Sequence, residues 1–92
     1  MRRKPVRGRW EIILDILRAI SEGGGVVKKT HIMQKAYLDW RNFQKHFNFL
    51  LEQGFVDERE EPGEGKVYVL TEEGKNLQKR LREVKEALRQ NL

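Results

Sequence analysis

Cysteine is missing altogether, which excludes a disulfide framework and any thiolate metal site and leaves redox compartment unread. Histidine occurs twice, as His31 and His46, on different predicted helices and with no carboxylate-rich ligand pattern around them, so no metal site is expected. No phosphate loop, nucleophile motif or paired general acid and base is visible, and an enzyme is not expected. No apolar run approaches the roughly 18 residues of a membrane span, and the N-terminus lacks the apolar stretch of a signal peptide. The expectation is a soluble, cytoplasmic protein without a cofactor. A chain of 92 residues makes one domain with a modest core, burying somewhat over about 60% of the surface its unfolded form exposes. A deep substrate pocket is hard to house in that.

What the chain has in abundance is charge. Charged residues make up 36% of it against about 25% in typical domains, with Lys, Arg and Glu dominating, a bias that fits a heat-adapted source. The net charge is +5, and its placement matters more than its size: Arg2, Arg3, Lys4, Arg7 and Arg9 fall in the first nine residues with no acid among them. The remaining 14 basic residues match the 14 acidic ones. Residues 1–9 therefore read as a basic arm, extended around Pro5 and Gly8, able to reach phosphates through counterion release or to serve as a solvated tail.

Residues 38 to 74 form one continuous device. Trp40, Phe43, Phe47, Leu50 and Leu51 recur at three- and four-residue intervals and predict a helix from Leu38 to Gln53, with Arg41, Asn42, Lys45, Asn48 and Glu52 away from the apolar stripe. Trp40 is assigned to the core, ahead of packing at the domain edge or meeting a sugar. Asp39 is placed to cap the first turn, and Gly54 to end the helix in the left-handed conformation. Phe55 to Glu58 and Lys66 to Leu70 carry the residues of strands, with a Pro62-Gly63 turn between them. Upstream, Trp10, Ile13, Leu14, Leu17 and Ile20 predict a first helix that stops at Gly23-Gly24-Gly25. Val26-Val27 suits a stub strand, and Thr30 offers an N-cap for a short helix burying Ile32, Met33 and Ala36. The order helix, stub, helix, turn, helix, hairpin, helix is that of a winged helix-turn-helix, an α+β fold that is mostly α.

The last helix starts at Thr71-Glu72-Glu73, a hydroxyl cap followed by two acids at the positive end of the dipole. Leu77, Leu81, Val84 and Leu88 then take the core positions of a short heptad repeat, flanked by charge. A narrow seam of this kind predicts a coiled-coil dimer, residues 71–92 pairing with a second copy, while residues 10–70 form the winged domain. The other reading folds the stripe back onto Ile12 and Ile16 within one chain.

Trp10-Glu11-Ile12-Ile13-Leu14-Asp15-Ile16-Leu17, the Gly-rich turn, Lys29-Thr30-His31-Ile32-Met33, the 38–51 helix and Leu70-Thr71-Glu72-Glu73-Gly74-Lys75 together resemble the small archaeal winged-helix chromatin-type proteins of about ten kilodaltons. The resemblance covers residues 10 to 90 and implies weakly specific binding of double-stranded DNA, a role in chromatin organisation or transcription regulation, nucleoid association, and an antiparallel C-terminal coiled coil. On the recognition helix, Arg41 is suited to guanine, Asn42 and Gln44 to adenine, and Lys45 and Asn48 to phosphates or base edges. Lys28 and Lys29 are suited to backbone contacts. In the wing, Arg59 and Lys66 could touch phosphate, yet Glu58, Glu60, Glu61 and Glu64 outnumber them and would repel it. That acidic wing, with the neutral body, favours a rival function as a protein-interaction module of the transcription machinery. A ligand-responsive repressor would need a pocket between the last helix and the winged domain.

Overall fold

The computed structural model describes residues 7–24 and 27–90, the last of them by backbone alone. Four helices and one hairpin follow in the expected order: α1 (Arg9–Glu22), α2 (Lys29–Lys35), α3 (Trp40–Glu52), β1 (Val56–Glu61), β2 (Gly65–Leu70) and α4 (Glu72–Gln90). The fold is a winged helix-turn-helix. Its core is one cluster in which Ile16, Leu17 and Ile20 of α1, Ile32 of α2, and Phe43, Phe47 and Leu50 of α3 are almost wholly removed from water. The Phe47 ring stacks on Phe43 at 4.8 Å and meets Tyr68 of β2 edge-on at 4.9 Å, which joins the helical layer to the hairpin.

The hairpin pairs antiparallel in a register that sets Val56 opposite Leu70 and Glu61 opposite Gly65. Val27 adds an isolated bridge, the Tyr68 amide donating to the Val27 carbonyl at 2.9 Å. Val26, Gly25 and Arg2, Arg3, Lys4 and Pro5 of the arm lie outside the described residues. The extended backbone at Val27 leads into α2 at Lys29, so Lys28 is the N-cap and its side chain makes no capping bond. Thr30, expected to cap, is exposed within the helix.

Two helices end in the same motif. At the end of α3 the Gly54 amide donates to the Leu51 carbonyl at 3.2 Å and the Phe55 amide to the Leu50 carbonyl at 2.9 Å, with Gly54 at φ 80°. At the end of α2 the Tyr37 amide donates to Gln34 at 3.1 Å and the Leu38 amide to Met33 at 3.2 Å, with Tyr37 at φ 55°. Both are Schellman closures, whose left-handed residue is usually glycine. A tyrosine held there costs on the order of 1–2 kcal/mol.

Thr71 starts α4 as expected. Its hydroxyl accepts from the Gly74 amide at 3.0 Å and donates to the Gly54 carbonyl at 2.6 Å. Gly74 is required, because a Cβ there would collide with the Phe55 carbonyl oxygen.

Candidate nucleic-acid interface

The inner face of α3 is fixed by Phe43, Phe47 and Leu50, with His46 also buried and its Nδ1 2.8 Å from the Asn42 carbonyl oxygen. Asp39 caps the helix, its Oδ1 accepting from the Asn42 amide at 2.8 Å. With that face anchored, Arg41, Lys45 and Asn48, spaced by four and three residues, share the outward side and are exposed. Among the described residues neither Arg41 nor Lys45 has an ion-pair partner.

The two amide side chains expected to meet adenine sit differently. The Asn42 side chain donates to the second Asp39 oxygen at 3.3 Å, so its amino group serves the cap. Gln44 is half-buried, and its Oε1 is enclosed without a hydrogen-bond partner. Periodicity placed Asn42 on the open face and gave no sign that the cap would engage it.

The basic residues around the helix are mostly engaged. Lys28 lies 3.6 Å from Glu64 of the wing. Lys29 is half-buried, its ammonium 5.7 Å from the Trp40 ring centre and 5.5 Å from that of Phe47. Lys66 lies 3.5 Å from Glu58. Arg59 lines a different cleft, with Ile20, Ser21, Lys75 and Gln78. Burial, and then the Glu58 carboxylate, holds the Tyr68 hydroxyl above its ordinary pKa, which favours the un-ionised phenol beside that carboxylate.

Two members of the basic arm belong to the folded body. Arg7 donates to Asp15 Oδ2 and to the Ala36 and Tyr37 carbonyls, each at 2.7 Å. Arg9 is the first residue of α1, its guanidinium 4.4 Å from the Phe49 ring centre. The arm expected over residues 1–9 therefore loses these two cations to the domain, and no local signal marks a clasp that spans about thirty residues of chain.

Trp40 is a second departure from expectation. It stands at the start of α3 with 54% of its surface exposed, and Tyr37 before it is 85% exposed. The core assignment of Trp40 followed its spacing to Phe43 and Phe47, but the first turn projects beyond the core those rings fill.

Along α4 the predicted seam divides. Leu77 and Leu81 pack part-buried against the domain core, whereas Val84 and Leu88 are 45% and 53% exposed. Leu77 and Leu81 also line an open apolar cleft of about 480 Å³ with Arg9, Trp10, Ile13, Phe49 and Phe55. The helix thus folds back on α1 in its first half and stands bare in its second.

A winged helix-turn-helix family model matches residues 6–89, almost the whole chain. This chain belongs to that family. It is 42% identical over 86 residues to the uncharacterized protein MJ0287 of Methanocaldococcus jannaschii, covering 94% of this chain and 81% of that one. Among solved structures, this winged-helix chain resembles Sso10a-2, a DNA-binding protein from Sulfolobus solfataricus, with a TM-score of 0.76 at 29% identity, over 92% of this chain and 84% of that one. It also resembles F-93 of SSV1, with a TM-score of 0.67 at 25% identity, over 99% of this chain and all of that one. The likeness to small archaeal winged-helix proteins read from the sequence is thereby shown. Among the described residues no helix is long and apolar enough to cross a membrane.

Proposed function

We propose that this chain is a dimeric DNA-binding protein of the archaeal chromatin or transcription apparatus, acting in the cytoplasm on the nucleoid with α3 in the major groove of double-stranded DNA. The observation that carries the reading is the outward face of α3, where Arg41, Lys45 and Asn48 stand exposed and Arg41 and Lys45 lack an ion-pair partner among the described residues. Cations displayed on the recognition helix of this motif meet phosphates and base edges. Arg2, Arg3 and Lys4 add charge near the domain and contribute affinity without sequence preference. The test is a mobility-shift titration on random duplex DNA at two salt concentrations. Binding should weaken with salt, by about 0.9 in the log–log slope for each phosphate engaged; no binding at moderate salt overturns the reading.

Dimerisation is supported by the bare Val84 and Leu88 and by the open cleft beside Leu77 and Leu81. Exposed apolar residues in a row are covered in most soluble proteins. Because Val84 and Leu88 stand clear of the domain core, changing both to Lys should give a folded monomer by sedimentation. A wild type that is monomeric at micromolar concentration excludes the dimer.

The protein-interaction reading rests on one observation of its own. The wing's Lys66 is paired with Glu58 within the wing, and the hairpin sets Arg59 and Lys66 against Asp57, Glu58, Glu60, Glu61 and Glu64, so it offers a partner an acidic surface. It takes over if the titration finds no DNA binding.

A further inference from the structure

Tyr37 and Trp40 are large aromatic side chains exposed at the turn and first residue of the recognition helix. Tyr37 occupies the left-handed closing position of α2, where the same chain uses Gly54 to close α3 with the same pair of hydrogen bonds. A glycine would relieve the backbone at no cost in buried area, since the Tyr37 ring covers almost none of the core. Strain kept at an exposed position points to a task outside the folded body. The backbone beneath the ring is fixed, because Arg7 holds both the Ala36 and Tyr37 carbonyls.

The surroundings indicate what the rings meet. Arg41 follows Trp40 directly on the exposed helix, and Lys29 places its ammonium against the Trp40 ring. The nearby acid, Asp39, has both oxygens occupied by Asn42. An apolar surface flanked by cations matches the floor of a major groove, where phosphates line the rims and the 5-methyl of thymine is the apolar mark on a base edge.

On the basis of the DNA-binding reading above, we propose that Tyr37 and Trp40 form an aromatic reader that packs on thymine 5-methyl groups in the major groove. Each methyl covered is worth about fourfold in affinity, the effect of burying one such group. The pair would therefore bias a weakly specific binder toward thymine-containing tracts.

The test uses one pool of random duplexes amplified with either thymidine or deoxyuridine triphosphate, so that the two differ only in the methyl. The full-length wild type should prefer the thymine pool, and Tyr37→Gly and Trp40→Ala should each reduce that preference while still binding the uracil pool about as well as the wild type. Tyr37→Gly should also melt no lower than the wild type, which separates a reading role from a structural one. Equal binding of the two pools by the wild type overturns the proposal and leaves the DNA reading intact. So does an equal weakening on both pools in the variants, which would assign the rings to sugar packing. A clear drop in melting temperature for Tyr37→Gly would make the ring structural and likewise overturn it. If the wild type binds neither pool, both readings fall together.

Discussion

The recognition helix and the wing are both rich in charge, but they deploy it in opposite ways. On α3 the exposed Arg41 and Lys45 have no ion-pair partner among the described residues, while the wing sets Lys66 against Glu58 and turns Glu64 toward Lys28, leaving Arg59 as its unpaired cation. Exposed pairs of that kind contribute only about 0–1 kcal/mol to stability, so their main effect is to take cations off the surface offered to phosphate. A count of basic residues therefore misjudges a nucleic-acid surface. What matters is which cations the fold has left without an internal partner.

The two regions are tied together most strongly at Phe47, the ring that contacts Phe43 behind the helix and Tyr68 behind the wing. Phe47→Ala should cost about 3–5 kcal/mol, as for other buried aromatic truncations, and both regions should melt in one transition by thermal denaturation. Separate transitions would show that the two are not one cooperative unit. Next in size, Arg41→Ala with Lys45→Ala should leave the melting temperature near the wild-type value yet weaken binding to random duplexes. The salt slope should flatten by about one unit for each phosphate that is no longer engaged. An unchanged slope in a mobility-shift titration would remove α3 from the interface. The smallest effect is expected in the wing: Glu60, Glu61 and Glu64 changed together to Gln should leave DNA affinity unchanged or raise it slightly by relieving repulsion. A large drop in affinity in the same titration would reverse the contrast and give the wing tip direct contacts, such as cytosine amino groups.

Much of this architecture was legible because it is written in local chemistry. The stripe from Phe43 to Leu50, the Asp39 cap, the left-handed Gly54 and the Thr71 cap each depend on residues within a few positions of one another, and the structure places each as expected. The candidate site was harder to read, because the availability of a polar group is set by partners distant in sequence. By sequence Arg7 reads as part of a basic arm, whereas its guanidinium donates to carbonyls at the end of α2. Lys28 looked like a phosphate contact, and Glu64 is brought to it only by the hairpin. For Trp40, helical spacing gave the correct side of the helix but could not show where along the axis the core ends. Tyr37 carries no periodic signal, since its distinction lies in one backbone angle.

The Thr71 hydroxyl links the carbonyl that ends α3 to the amide that begins α4, and Gly74 lets the helix press directly on the Phe55 backbone. With Leu77 and Leu81 seated on the core, that side chain helps to set the bearing of a helix of 19 residues, a rod about 28 Å long whose far end would swing by about 5 Å for a tilt of about ten degrees at its base. Residue 71 is in this sense a hinge pin locked at one angle, and whatever the tip of α4 carries is aimed from there.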